Sequence, residues 1–305
     1  MRDITNKLIT LRTAKTSAVV KMSAISVKAI KNNTTLKKDV LPVARAAAFL
    51  AVKNTCYVIP HCHPIPVESV TVDYELFSDR IKIIVIVKTH YKTGCEMEAL
   101  YGASVCALTV YDMLKVQDGD IEIIEIKLEE KKGGKSDFAG LIPRKIKSLK
   151  AAAVVVSDSV SSGISKDKTG VLIKAKLKSF GIIVKEFIVI PDEAEEIRKV
   201  IKTLCNKRMN LILTAGGTGV SPRDITPEAI KPLIDKDVSG IIEAARSYGQ
   251  KRTPLAMLSR GVAGLIGKTL IITLPGSPSA AEECINAIFP QVLHIYNVLD
   301  IDYKH

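Results

Sequence analysis

Residues 211–228, LILTAGGTGVSPRDITPE, restrict the fold more than any other stretch of this chain. Leu211, Ile212 and Leu213 lead through Thr214 and Ala215 into Gly216-Gly217-Thr218-Gly219, and Pro227 stands where a helix opens. A strand that stops at glycines lets backbone N–H groups approach an anion closely. Strand, glycine turn and helix in that order point to a phosphate or nucleotide site in an α/β domain. No Gly-Lys-Ser/Thr follows, so the loop is not a Walker A motif, nor is it G-x-G-x-x-G. Taken alone, GGTG also suits a plain strand-to-helix turn.

The surrounding pattern favours the first reading. AAAVVV (151–156) is a continuous apolar strand of the kind that is buried on both faces. A lysine-rich helix over 166–179, a strand over 182–190, a helix over 192–205 and a strand over 210–214 follow. Helices over 226–234 and 239–249, a strand over 269–274 and a helix from 278 complete the series. This rhythm predicts a three-layer α/β unit over 151–305 with a mostly parallel, doubly wound sheet. LPGSPS (274–279) is a second strand end carrying glycine. Asp158 and Asp192 each follow a predicted strand and Asp224 lies beyond a third, positions from which carboxylates can hold Mg²⁺ and phosphates together, or merely cap helices.

The first part of the chain has another character. Helices are predicted over 23–31 and from Val40, with Asp39 as cap, and strands over 70–76, 81–88 and 123–128. A helix over 96–115 would turn Met97, Leu100, Val105, Leu108 and Tyr111 inward. These elements predict an α+β unit over 1–137, a ferredoxin-like antiparallel sheet with helices, joined to the second unit by a linker over 138–150.

Asp112 and Lys115, three apart on one helix face, form either a surface ion pair or an acid–base couple in which burial lowers the lysine pKa. Glu96 and Glu98 suit a helix N-terminus electrostatically. His61-x-His63 beside Cys62 is a weak metal-ligand pattern, too compact to enclose an ion. Lys131-Lys132-Gly133-Gly134-Lys135 suits phosphate or an exposed tail.

Net charge is +12, with 23 basic against 16 acidic residues over 1–148 and 21 against 16 over 149–305. The excess is spread over both halves. Tryptophan is absent and aromatics are 5% of the chain, which disfavours a base-stacking nucleic-acid surface; small phosphorylated substrates explain the charge as well. Six cysteines without a C-x-x-C spacing suit reduced thiols. No 18-residue apolar run or signal-like N-terminus is present, so no membrane partner and a cytoplasmic location are expected.

KKDVLPVARAAAFLAVKNT, IPHCHPIP, TGCEMEAL, TVYDMLK and EKKGGKS occur in one order over residues 1–137. Together they resemble the cyclic pyranopterin monophosphate synthase family of molybdenum-cofactor biosynthesis. The resemblance implies a trimer of dimers with active sites at subunit interfaces. It also implies conversion of 3′,8-cyclised GTP to a cyclic-phosphate pyranopterin, with pyrophosphate released. The family's catalytic residues fall on Lys37, Asp112 and Lys115, and its substrate pocket on Lys53, Cys62, His63, Glu96, Glu98 and Lys131. Nothing in the sequence calls for a cofactor in this half. His61, Leu114 and Lys38 depart from the usual leucine, cysteine and glycine, and none removes a proposed acid or base.

SDSVSSG, IPDE, LTAGGTGVSPRDITPEAI, PLAMLSRGVAG and LPGSPSAAEEC are similar to the molybdopterin adenylyltransferase family. That resemblance implies AMP transfer from Mg-ATP to molybdopterin by a trimeric or hexameric protein. Asp192 and Asp224 match the family's acidic, Mg²⁺-positioning residues. Its pterin and phosphate contacts match Ser157, Asp158, Gly216, Gly217, Thr218, Ser221, Ser277 and Pro278. Some relatives bind the pterin without adenylating it. The combined expectation is a bifunctional enzyme, with a synthase fused to a non-catalytic pterin-binding module as the alternative.

Overall fold

The computed structural model describes residues 1–134, 137 and 148–299. The predicted linker, 138–150, lies almost wholly outside the described residues, as do Lys135 and Ser136 of EKKGGKS. The chain divides into two compact units, Met1–Ala139 and Gly140–His305. Among the described residues no helix is long and apolar enough to cross a membrane.

The first unit is a four-stranded antiparallel sheet covered by helices. In chain order it runs β1 (Thr10–Lys21), α1 (Ala24–Asn32), α2 (Val40–Val58), β2 (Ser69–Leu76), β3 (Arg80–Tyr91), α3 (Glu96–Leu114) and β4 (Glu122–Lys132). The sheet order is β2-β3-β1-β4. Ile81, Ile83, Val85 and Val87 alternate along β3 onto one face, where Ala44, Ala48 and Val52 of α2 and Ala99, Ala103, Cys106 and Val110 of α3 meet them. The opposite face carries charge: Glu129 pairs with Lys82 at 2.9 Å and with Lys15 at 3.5 Å.

The expected inward face of α3 is overturned, and β1 is a strand the sequence expectation lacks. The buried residues of α3 are Glu98, Ala99, Gly102, Ala103, Cys106, Ala107, Val110, Met113 and Leu114. Met97, Leu108 and Tyr111 are exposed, and Leu100 and Val105 only partly covered. Small side chains let this helix lie close to its neighbours, and a Cβ on Gly102 would stand 2.6 Å from Val52 Cγ2. Strand β1 is central, and the alternation rule does not find it. Its core face is Ala14, Thr16, Ala18 and Val20, and Thr16 Oγ1 satisfies itself by donating to Ala99 O at 2.8 Å.

The second unit is a six-stranded sheet of order β6-β5-β7-β10-β9-β8. β5 (Lys150–Val156), β6 (Ile183–Ile190), β7 (Leu211–Ala215) and β10 (Thr269–Leu274) are parallel. β9 (Ala263–Ile266) and β8 (Lys236–Asp237) add an antiparallel edge that sequence reading missed because both are short. The sheet is thus mostly parallel. Ala152, Val154 and Val156 pack on Ile197, Ile201 and Leu204, while Ala151, Ala153 and Val155 are buried on the reverse face. Coverage on both faces explains the unbroken apolar run.

Candidate active sites

In the first unit Lys37, Asp112 and Lys115 meet at the C-terminal end of α3, and Glu96, Glu98 and Lys131 lie at its N-terminal end. At its C-terminal end Asp112 lies between two lysines, with Oδ2 2.8 Å from Lys37 Nζ and Oδ1 2.8 Å from Lys115 Nζ. Lys37 Nζ also donates to the Asp112 carbonyl at 3.2 Å. Lys37 rides on a turn, residues 33–39, that is closed by side chains. Asn33 Nδ2 donates to Asp39 Oδ1 at 3.0 Å, and the Asp39 N–H donates to Asn33 Oδ1 at 2.9 Å. Thr35 Oγ1 donates to Lys37 O at 2.7 Å, and the Leu36 N–H donates to Gln117 Oε1 at 2.9 Å, pinning the turn beside the end of α3. Asp39 therefore precedes α2 without capping it: its φ is +59° and its carboxylate faces Asn33.

Lys115 and Lys37 hold the Asp112 carboxyl down at about 2, so it is an anion throughout the working range. The expectation of a buried lysine with lowered pKa is not met. Lys115 is half exposed and Asp112 pushes its pKa up, so it is held as an ammonium.

The other end of α3 holds the opposite chemistry. Glu98 is 4% exposed, and burial, reinforced by nearby Glu96, raises its pKa. Glu96 pairs with Lys131 of β4 at 3.4 Å. Burial pushes up the Cys62 thiol, with charge from Glu98 adding to it. Lys53 is exposed on α2 and His63 half-buried just beyond it; neither side chain has a hydrogen bond or ion pair among the described residues. His61, Cys62 and His63 do not form a metal cluster: among the described residues no group of three or more His, Cys, Asp or Glu side chains is placed to hold an ion.

Glu98 and Asp112 are fourteen residues apart on one unbroken helix, about 21 Å along its axis. Lys37, Asp112 and Lys115 therefore do not meet the buried Glu98 within one copy of the chain.

A carboxyl-carbon NMR titration should separate the two acids cleanly. Asp112 is expected to remain ionised below its usual value of 3.8 and Glu98 to protonate above 4.5. Lys115→Ala should move Asp112 upward and leave Glu98 in place. Coincident titration of the two acids would contradict this arrangement.

In the second unit the functional residues cluster at the C-terminal ends of β5, β6, β7 and β10. From β5 the chain passes outward to β6 and then returns to β7 on the other side, so the winding reverses between β5 and β7. A cavity of about 400 Å³ lies there, walled by Val155, Val156 and Ser157 of β5 and its end, Ala215, Gly216 and Gly217 of the glycine loop, Asp192, Arg223 and Asp224, and Gly276 and Pro278. Its remaining wall includes Lys166, Asp167, Lys168 and Thr169. The sequence expectation runs a lysine-rich helix through all four, whereas the helix begins at Thr169 and leaves Lys166, Asp167 and Lys168 in the loop before it.

Gly216 and Gly217 have φ of +112° and +60°, and a Cβ on Gly216 would stand 2.0 Å from Val156 O. Glycine is thus required for the loop to turn against β5. The ends of β5 and β6 are tied reciprocally: the Asp158 N–H donates to Asp192 Oδ2 at 3.1 Å, and the Asp192 N–H donates to Asp158 Oδ1 at 3.0 Å. Burial raises the Asp192 pKa, whereas the Asp192 N–H and then Arg223 lower that of Asp158. Arg223 donates to Asp158 Oδ2 at 2.7 Å and to Glu193 at 3.2 Å.

Of the predicted contacts, Ser157, Gly216, Gly217, Asp192, Asp224 and Pro278 reach the cavity wall. Asp158 is not part of the cavity wall; its carboxylate pairs with Arg223 and accepts from the Asp192 N–H. Thr218 is buried and its carbonyl accepts from the Arg260 N–H at 2.9 Å. The Ser221 N–H donates to Asp224 Oδ2 at 2.8 Å, and Ser277 is the exposed residue before the helix Pro278–Ile288. Arg260, absent from the sequence reading, binds the Gly219 and Asp224 carbonyls and the Glu228 carboxylate, bracing the loop from behind.

Two protein families match the chain: the MoaC family over residues 1–134 and a probable molybdopterin binding domain over residues 152–294. A molybdenum cofactor biosynthesis bifunctional protein of Chlorobaculum tepidum is 35% identical over 302 residues, spanning 99% of this chain and 95% of that one. The chain belongs to the family of molybdenum cofactor biosynthesis bifunctional proteins. Within the bifunctional family's two-part layout, the halves also match separate proteins. A cyclic pyranopterin monophosphate synthase of Campylobacter jejuni is 46% identical over 138 residues, covering 45% of this chain and 88% of its own. The structure of the molybdopterin biosynthesis enzyme MoaB of Thermus thermophilus is 39% identical, covering 51% of this chain and 99% of its own, with a TM-score of 0.48.

Proposed function

We propose that the first unit is a cyclic pyranopterin monophosphate synthase whose active site is assembled from two copies of the chain. The separation of Glu98 from Asp112 along α3 carries this reading. The site needs an acid–base group beside a substrate pocket, and one copy supplies these about 21 Å apart. A neighbour that brings its pocket end against the Lys37–Asp112–Lys115 end completes it. Exposed Met97, Leu108 and Tyr111 on α3 suit such an oligomer. The strand order β2-β3-β1-β4, with helices in the crossovers, is in our reading a ferredoxin-like arrangement. The substrate is 3′,8-cyclised GTP. Lys115 donates a proton, Asp112 keeps the lysines in place, and Lys53 and Lys131 bind phosphate oxygens.

For the second unit we propose adenylation of molybdopterin by Mg-ATP. A phosphate oxygen of the pterin bonds to the α-phosphorus, the α–β bridging bond breaks, and pyrophosphate leaves. Asp192 and Asp224 offer hard carboxylate oxygens at the cavity wall, and phosphate oxygens and water would fill the remaining Mg²⁺ positions. Bound Mg²⁺ would neutralise charge on the phosphates. Lys166, Lys168 and Arg223 bind phosphate oxygens, and the bare backbone of Gly216 and Gly217 allows close approach. Four parallel strand ends converging on a cavity with both cations and carboxylates support this reading. The three-layer, doubly wound architecture is part of the same proposal, as is a working form that is trimeric or hexameric.

Pyrophosphate release tests both halves. The full chain should release it from 3′,8-cyclised GTP, and separately from molybdopterin with Mg-ATP. Release in the first reaction alone would make the second unit a pterin-binding module, as the description of its family suggests. Release in neither would end both readings.

A further inference from the structure

Thr226 opens the helix Thr226–Ile230 directly behind the glycine loop, and its N–H donates to Gly217 O at 3.1 Å. Its side chain is fully buried and its Oγ1 has no hydrogen-bond partner. Buried hydroxyls are almost always paired, so an orphan against Gly217 of the cavity wall needs a reason. A Cβ built on Gly217 would stand 2.3 Å from Thr226 Oγ1 and 2.9 Å from Asp192 Oδ1, which puts the two oxygens no more than about 5.2 Å apart. The Asp158 N–H occupies Asp192 Oδ2, while Oδ1 has no hydrogen bond among the described residues. A left-handed position such as Gly217 also tolerates Asn or Asp. Here any side chain would fill the gap between the hydroxyl and the carboxylate.

We propose that Thr226 is a positioning residue for Asp192, donating a hydrogen bond from Oγ1 to Asp192 Oδ1 across the bare Cα of Gly217 when a metal–nucleotide occupies the cavity. The carboxyl closes the gap by turning about its own side-chain bonds, with no backbone movement. Held from both sides, by the Asp158 N–H and by Thr226, the carboxylate presents its remaining lone pairs in a fixed plane toward the cation. A hydrogen bond behind a metal-binding carboxylate orients it and sets its affinity. Asp192, desolvated as it is, gains more from a donor than an exposed carboxylate would. This inference rests on the Mg-ATP role proposed for the cavity.

The test uses the full chain with Mn²⁺ in place of Mg²⁺ and a non-hydrolysable ATP analogue, free Mn²⁺ being read by electron paramagnetic resonance. Thr226→Val should weaken Mn²⁺ binding about tenfold or more, and Thr226→Ser should stay within about threefold of the parent. The unfolding temperature should remain level or rise in Thr226→Val, since deleting an unpaired buried hydroxyl relieves the unliganded protein. Should valine pack badly and lower it, Thr226→Ala carries the same binding expectation. Parent-like Mn²⁺ affinity in Thr226→Val or Thr226→Ala would overturn the role of Thr226. If Asp192→Asn loses Mn²⁺ while those variants keep it, only Thr226 falls. If Asp192→Asn also binds like the parent, the Mg-ATP reading fails and takes the inference with it.

Discussion

Co-assembling Asp112→Asn chains with Glu98→Gln chains should restore synthase activity that neither variant has alone. Each active site is proposed to take the Lys37–Asp112–Lys115 end of one α3 and the Glu96–Glu98 end of another. In a one-to-one mixture a quarter of the sites would receive both intact ends, so recovery to about a quarter of the parent rate is expected for a symmetric oligomer. Pyrophosphate release from 3′,8-cyclised GTP after co-expression measures it. A site built within one chain would give no recovery. Each variant alone should lose activity by at least about a hundredfold, the usual contribution of a positioned acid or base. The two changes have different physical effects. Asp112→Asn removes the anion that holds two ammonium groups together. Glu98→Gln removes a titrating proton from a buried position while keeping its volume.

Gly216→Ala should be the most damaging single change in the second unit. Its Cβ would lie 2.0 Å from Val156 O and 3.1 Å from Val156 C, so backbone of β5 itself must shift, and the residue already has φ of +112°. Strain of this kind costs roughly 2 kcal/mol or more. Calorimetry of the full chain should show the second unit melting earlier, with molybdopterin-dependent pyrophosphate release lost and synthase activity retained. Gly240→Ala is the matched control. It lies in the helix Ser239–Gln250, a Cβ there meets nothing within 4 Å, and alanine favours the helix by about 0.5–1 kcal/mol. Equal melting of both variants would show that contact with β5 does not govern the loop.

The second unit was more legible in the sequence than the first, for reasons of packing. Strands covered on both faces, such as Ala151–Val156, must be apolar at every position and therefore announce themselves. The center of the first unit is built from small and hydroxylated residues. Thr16 and Ser17 are fully buried in β1, and Ala99, Gly102, Ala103 and Ala107 form the inner side of α3. A reading weighted by hydrophobicity selects Met97, Leu108 and Tyr111 instead, the side chains that packing leaves outside. Motif order pointed to Asp112, Lys37 and Lys115, which the fold brings together. The helix expected over 96–115 already puts Glu96 and Glu98 at its start and Asp112 and Lys115 near its end, and the unbroken α3 turns that spacing into a distance of about 21 Å. Arg260 and Thr226 were hidden because each meets the glycine loop through contacts that only the folded chain creates.

The length of α3 has a consequence for inheritance of defects. If every copy lends one end of this rod to one site and its other end to a second, a chain altered at both ends spoils two sites at once. In a mixed population the surviving sites are those that draw both contributions from sound copies, so their share follows the square of the sound fraction. A minority of such subunits would then depress output out of proportion to their number, whereas a lesion at one end alone would cost only the share of sites that its own copies supply.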